Sequence, residues 1–297
     1  IVLNLLLLIF GAPKMDNISD LSRPKIDILS LVFSTVGFGG IVYALATLAE
    51  ASISEAKVWL PLVVGVIALI LFITRQFKME SPMINLRVFK YPMFALGTVL
   101  MFFNLFMILS VAILIPLYLK SVLGFAALAA GLLMLPGNAL NIVMSPIVGS
   151  SFDRVGAKIY TRIGYVLITI SAALFVIVIS ATTPVWQIVV LLMVFSLGIS
   201  MTIMPAQTNA MNQLPPKMYA DGSAAMNTLT QVAGALGTAI AITMFTLGQT
   251  KYIEKNGAEA PLDFLAYGVH YAFIIVLIIA VLGLIGSFFI KNSRHSH

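Results

Sequence analysis

Eight stretches of twenty or more predominantly apolar residues follow one another along this chain, and no other feature limits its folding so tightly. They run from 26 to 49, 58 to 77, 93 to 119, 126 to 149, 159 to 181, 185 to 212, 220 to 248 and 269 to 290. A hydrocarbon core roughly 30 Å thick is crossed by about 20 residues of α-helix, and every backbone amide inside it must be satisfied within its own segment. Runs of this length therefore predict membrane-spanning helices. Proline punctuates the intervals, at Pro24, Pro92, Pro184, Pro215 with Pro216, and Pro261. A further apolar run at 1–12 opens on Ile1, without an initiator Met or a basic leader, and predicts the end of a transmembrane helix that begins in a longer polypeptide.

Composition excludes the alternatives to a membrane protein. Apolar residues fill 60% of the 297 positions and charged residues 9%, which no soluble domain could present to water without large exposed apolar patches. The basic residues are scattered between apolar runs rather than gathered into a stripe, so nucleic acid is not an expected partner. With no cysteine there are no disulfides and no thiolate chemistry. His270, His295 and His297 form no motif, and no carboxylate pair, metal cluster, nucleophile with its base or phosphate-binding glycine loop is present. The chain reads as a non-enzyme that needs no cofactor and no direct ATP use.

Lys and Arg resist transfer and collect in cytoplasmic loops. With the loop at 13–25 inside, that side gathers Lys14, Arg23, Lys25, Arg75, Lys78, Arg87, Lys90, Arg154, Lys158, Arg162, Lys217, Lys291 and Arg294, against Lys57, Lys120, Lys251 and Lys255 outside. Thirteen against four, in strict alternation across eight crossings, also supports the helix count, because one missed span would invert every later loop. A multi-pass protein of the cell membrane with a cytoplasmic C-terminus is expected.

Three regions follow: the truncated helix at 1–12, two linker helices with an interfacial segment at 13–92, and a six-helix unit at 93–297. The segment RQFKMESPMINLRVFKYP mixes Met83, Ile84, Leu86, Val88 and Phe89 with Arg87 and Lys90, as expected of a joint lying along the cytoplasmic interface. The six-helix unit divides into 93–181 and 185–290, which suits inverted three-helix repeats although the halves share no evident identity.

All Asp and Glu fall at helix ends or in loops, so no mid-membrane carboxylate is available as a proton carrier. Uncharged polar residues concentrate in the first, second, fourth and fifth of the last six spans, while the sixth is apolar on every face and is expected to touch lipid. Ser and Thr fit interhelical hydrogen bonding. Asn and Gln carry more donors and cost more to bury, so Asn104, Asn138, Asn141, Asn227 and Gln231 are candidates for lining a cavity, with structural bonding as the competing role. Met101, Phe103, Phe106, Met107, Met134 and Met201 are either a pliable pocket or ordinary packing. Ala233, Gly237 and Ala241 repeat at the four-residue spacing of close helix contact, and Pro136, Gly137 and Pro146 predict a bend, static or hinged.

The segment GSSFDRVGAK at 149–158 fits G-x-x-x-D-R-x-G-x-K and resembles the loop signature of the major facilitator superfamily. With IPLYLKSVLGFAALAAGLLMLPGNAL, MPAQTNAMNQLPPKMYADGSAAMNTL and TQVAGALGTAI, it looks like the C-terminal portion of the drug:proton antiporters with fourteen spanning helices, the EmrB/QacA type. That resemblance implies an all-α membrane fold: a half-transporter of six helices in inverted repeats, plus two extra helices. It also implies a missing N-terminal half that carries the acidic coupling residues. The implied function is efflux of lipophilic or cationic drug-like compounds by alternating access, driven by the proton gradient. In the signature, Gly149 and Gly156 are expected to permit a tight turn. Asp153 would sit at the N-terminus of a helix in the other half as a latch, and Arg154, Lys158 and Arg162 would pair with acids or lipid headgroups. A purely topogenic loop, a facilitator of another solute and a non-transporting scaffold are the alternatives.

Overall fold

The computed structural model describes residues 27–48, 51, 54–79, 82 and 85–291, and all regular structure among them is helical. Eight helices are long and apolar enough to cross a membrane. They are α1 Ile28–Thr47, α2 Ala56–Lys78, α3 Pro92–Ser121, α4 Ala127–Val155, α5 Ala157–Val178, α6 Val185–Met211, α7 Tyr219–Asn256 and α8 Pro261–Phe288. The run at 1–12, the loop at 13–25, Met83, Ile84 and Arg294 lie outside the described residues.

Three helix ends differ from expectation. Helix α4 continues through the presumed loop to Val155. Helix α7 runs eight residues past 248, and α8 starts at Pro261 rather than 269. Hydropathy marks where a helix leaves hydrocarbon, not where its hydrogen-bond ladder stops. The 38 residues of α7 span about 57 Å at 1.5 Å each, well beyond the bilayer core, so its polar end GQTKYIEKN projects from it. Pro261 occupies the first turn of α8, where its missing N–H costs nothing, and Asp263 in that turn complements the helix dipole.

Helices α1 and α2 pack on each other and meet the rest chiefly through α1 on α7, where Thr243 Oγ1 donates to the Leu45 carbonyl at 2.8 Å. A polar network closes one end of the pair. Arg75 donates to Asp27 through Nε at 2.6 Å and Nη2 at 3.1 Å, Ser30 Oγ donates to the same carboxylate, and Gln76 Nε2 donates to Ser30 Oγ at 2.8 Å. These bonds, those from Arg75 first, hold the Asp27 carboxyl well below the ordinary carboxylate range. A depressed carboxyl contributes its stability above the unfolded pKa of about 4 and loses it only as pH falls through the lower folded value. The network therefore persists across physiological pH. Asn85 Nδ2 donates to Asp221 at 3.2 Å and ties the joint to the start of α7. In the 3-10 turn Leu86–Lys90, Val88 is buried while Arg87 and Lys90 are exposed.

The six helices α3–α8 form two triplets whose packing is nearly symmetric under exchange. Helix α3 packs on α7 as α6 packs on α4, and α5 packs on α6 as α8 packs on α3. The pairs α3·α6 and α5·α8 map onto themselves. Because each triplet has an odd number of spans, the second enters from the opposite side, which makes the repeats inverted. The symmetry fails at one place: α7 and α8 pack closely, whereas α4 barely touches α5 and leans on α6. Helix α8 is only partly lipid-facing. Ile278, Leu282 and Ile285 are exposed, while Val269, Ala272, Phe273, Val276 and Ala280 are buried, Phe273 stacking on Phe175 with ring centroids 4.6 Å apart.

Small residues set the helix spacing. A Cβ on Gly164 would meet the Gly198 carbonyl at 2.7 Å, and the converse distance is the same, so α5 and α6 touch backbone to backbone. In the Ala233, Gly237, Ala241 stripe both alanines are buried. A Cβ on Gly237 would lie 2.4 Å from the Phe106 carbonyl of α3. Ser110 Oγ, also on α3, donates to the Gly237 carbonyl at 3.0 Å. Without water inside the bilayer, such close packing and cross-helix bonds replace the hydrophobic effect as the attraction between spans. Gly237→Val is expected to lower stability by about 1–3 kcal/mol or more, read as a fall in the thermal unfolding midpoint in detergent. Gly131→Ala, where a Cβ meets nothing within 4 Å, is expected to leave that midpoint unchanged or raised.

Candidate functional site

Helices α3, α4 and α6 enclose a cavity of about 170 Å³ whose walls include Ile108, Val111, Met134, Asn138, Asn141 and Ser196. It forms where α4 loses contact with α5, so that only α6 holds it closely. Gly137 lets α4 approach there, since a Cβ would meet Ser196 Oγ at 3.0 Å. Helix α4 continues unbroken through Pro136 and Pro146. Asn141 Nδ2 lies 3.5 Å from the Ser196 carbonyl, and Ser145 Oγ donates to the Asn141 carbonyl at 2.8 Å and is 3.3 Å from its Oδ1.

Asn138 is exposed, makes no hydrogen bond among the described residues, and sits close to the middle of the span Ala127–Phe152. Transfer of an unpaired amide into a medium without hydrogen-bonding groups costs roughly 4–8 kcal/mol. A side chain at that depth is therefore tolerable only beside water, a polar ligand or further protein. Paired with the half-satisfied Asn141, it leaves this wall of α4 with unsatisfied donors and acceptors near the middle of the span.

The five cavity candidates do not converge. Asn138 and Asn141 share the cavity. Asn104 is buried between α3 and α6, where Thr202 Oγ1 lies 2.9 Å from its Oδ1. That hydroxyl also lies 3.0 Å from the Ile199 carbonyl and has one proton for the two acceptors. Asn104 Nδ2 is buried without a partner among the described residues. Asn104 is thus interhelical packing with an incomplete bond set, not part of the lining. Asn227 and Gln231 are exposed along α7 and are not among the residues lining that cavity; among the described residues Asn227 Nδ2 reaches Ser223 Oγ, at 3.4 Å. Of the Met and Phe candidates, Met134 lines the cavity, whereas Phe106 and Met107 are core.

The signature at 149–158 is a corner between helices. Gly149 lies inside α4 against the Met204 side chain and makes no turn, which corrects the role expected of it. Gly156 alone separates α4 from α5, at φ 83°, a conformation that only glycine adopts without strain. Ser151 and Tyr160 hydroxyls meet at 2.5 Å across the corner. Arg162 meets a helix end: Nη2 donates to the Phe288 carbonyl at 2.9 Å, and the guanidinium sits 5.0 Å from the Phe288 ring centroid, capping the negative end of α8. Arg154 and Lys158 are exposed. The Asp153 side chain lies outside the described residues.

Two features escaped sequence reading. The Asp27–Arg75 pair joins residues 48 apart; its signal was an acid before one apolar run and a base in the last turn of the next, both on one face of the membrane. Tyr165 is buried on α5, donates to the Leu100 carbonyl at 2.8 Å and lies against Gly283, binding α5 to α3 and α8 at once. His270 Nδ1 lies 2.6 Å from the Val176 carbonyl and the ring stacks on Tyr267, a structural role.

Residues 28–238 match the family described as Major Facilitator Superfamily. The chain is 47% identical over 290 residues to the lincomycin resistance protein LmrB of Listeria monocytogenes, across 97% of this chain and 61% of that protein. It is 45% identical to the LmrB of Bacillus subtilis, across 98% and 62%, and 24% identical to the multidrug export protein EmrB of Escherichia coli, across 75% and 44%. The chain thus spans about three fifths of the LmrB proteins.

A double-mutant cycle over Asn104→Ala and Thr202→Val, read by thermal unfolding, is expected to return a coupling of about 0.6–1.7 kcal/mol, as for other interhelical bonds in membranes. A coupling of zero would remove Asn104 from the interface between α3 and α6.

Proposed function

The chain belongs to the major facilitator superfamily, and on that premise we propose that it is the second half, with its two preceding linker helices, of a proton-coupled multidrug exporter of the fourteen-helix EmrB/QacA type. One observation carries this reading: an amide-bearing wall, Asn138 and Asn141, opens at mid-membrane beside apolar Ile108, Val111 and Met134. Such a mixture suits amphiphilic compounds, whose apolar bulk fills the pocket while a few polar atoms meet the amides. The LmrB relatives, named for lincomycin resistance, make lincomycin the first substrate to try.

Alternating access then needs the wall to face each side in turn, with the rest of the transporter closing over α4 and α7. The loose seat of α4 and the single-glycine corner at Gly156 supply the freedom for this movement. The solute passes unchanged and no covalent step is involved. Among the described residues no acid lies near the middle of a span, Asp221, Glu254 and Asp263 standing in the end turns of their helices, and the Asp27 carboxyl is held ionised by Arg75, so the proton-carrying group is assigned to the remainder of the transporter. Charge bias puts the corner at 149–158 and the C-terminus in the cytoplasm. Asp153 would latch there on the other half.

In everted vesicles holding the whole transporter, an imposed proton gradient is expected to drive lincomycin uptake. Asn138→Leu with Asn141→Leu is expected to lower the rate at least about tenfold at equal expression, the equivalent of roughly 1.4 kcal/mol. Unchanged uptake would exclude the wall from the transport path, and counterflow with sugars instead of drugs would mark a facilitator of another class.

A further inference from the structure

Helix α1 packs on α7, but α2 does not, and the space it leaves is a slot of about 460 Å³. Its walls include Phe38 of α1, Leu69, Phe72 and Phe77 of α2, Phe89 of the 3-10 turn and Leu229 of α7. The one polar wall residue, Thr228, is already satisfied, its hydroxyl donating to the Ala224 carbonyl at 2.9 Å. Nothing in the slot asks for a hydrogen bond, so its natural filling is hydrocarbon rather than water.

Shape and charge narrow the occupant. From Leu69 to Phe77 the slot follows α2 for about 12 Å, ending within one residue of the helix terminus. At that end stand three cations. Lys78, the residue after Phe77, lines an adjoining pocket with Phe33 and Arg75, and Arg87 and Lys90 stand two before and one after Phe89 on the 3-10 turn. All three are exposed and form no ion pair among the described residues, whereas neighbouring Arg75 is already bound to Asp27. A long apolar groove with a cluster of unpaired cations at its membrane-surface end is complementary to one kind of molecule, an anionic amphiphile standing along the bilayer normal.

We propose that this slot binds an anionic phospholipid from the leaflet on the basic side. One acyl chain lies between α2 and α7, and the phosphate rests on Lys78, Arg87 and Lys90. The lipid completes the packing of the α1–α2 pair against α7, the helix that carries Asn227 and Gln231. This site is separate from the cavity between α3, α4 and α6 and does not depend on transport.

The purified protein in nanodiscs, carrying a trace of phosphatidylglycerol or phosphatidylcholine with a diazirine in mid-chain, tests it by irradiation and peptide mapping. Phosphatidylglycerol is expected to label the peptides around 69–77 and 225–229 at least about five-fold more than phosphatidylcholine. The triple variant Lys78→Gln, Arg87→Gln, Lys90→Gln, altered only at exposed positions, should reduce phosphatidylglycerol labelling to the phosphatidylcholine level. Leu229→Trp should suppress both, while the exposed face of α8 around Ile278 labels equally from either lipid throughout. Equal labelling of the slot by both lipids, labelling indifferent to the triple variant, or displacement of both lipids by lincomycin would each overturn the assignment.

Discussion

Hydrocarbon offers no partner for a hydrogen bond, and the form of this protein follows from that single constraint. Backbone groups are confined to helices. Hydroxyls turn back onto carbonyls within their own helix, as Thr98, Thr169 and Thr238 do, or cross to a neighbour, as Ser110 and Ser171 do. The charged pair Asp27–Arg75 sits at the end of its helices, where water helps with solvation. Against this economy an open amide in the middle of a span stands out, and Asn138 is the exposed case on α4. Its surroundings must provide what lipid cannot.

Inverted repeats explain where that opening lies. Exchange of the triplets α3–α5 and α6–α8 reproduces almost every helix contact, so the unit is held by a nearly two-fold pattern with α3 and α6 at its centre. The departure from symmetry, tight α7·α8 against loose α4·α5, leaves α4 with one strong neighbour and exposes much of its surface, including Leu128, Leu135, Ile142 and Val143. A helix so placed can shift without breaking a core. Backbone-close contacts at Gly164 with Gly198 and at Gly237 with Phe106 keep the remainder rigid. A closely packed centre and a loosely held wall together are what the proposed alternating access would require.

The number and order of helices were legible because burial in lipid demands length and apolarity, and the sequence displays both without ambiguity. Ends were less legible: the polar tail of α7 and the Pro261 start of α8 are helical by hydrogen bonding but not by hydropathy. Within the site, residue type alone could not separate Asn104 from Asn138. Helix α3 is apolar around its whole circumference, so no periodicity shows which way Asn104 points, and it proves to be buried against Thr202. Asn227 and Gln231 share a face of α7 but not the cavity of Asn138. The motif at 149–158 was recognised, yet its glycines were not equivalent, because only the second sits at a positive φ. Asp27 and Arg75 meet through antiparallel packing of two spans, a long-range contact that local spacing cannot display.

The central claim is that the Asn138 wall of α4 faces an aqueous cavity at mid-membrane. Because the chain has no cysteine of its own, a cysteine placed at 138 can be tested cleanly with a membrane-impermeant maleimide in intact and everted vesicles. The cysteine is expected to react from the aqueous phase at a rate far above that of one at Ile278 on the exposed apolar face of α8. A cysteine at 138 as inert as the one at 278 would mean that the wall faces lipid or packed protein, and the cavity assignment would fall.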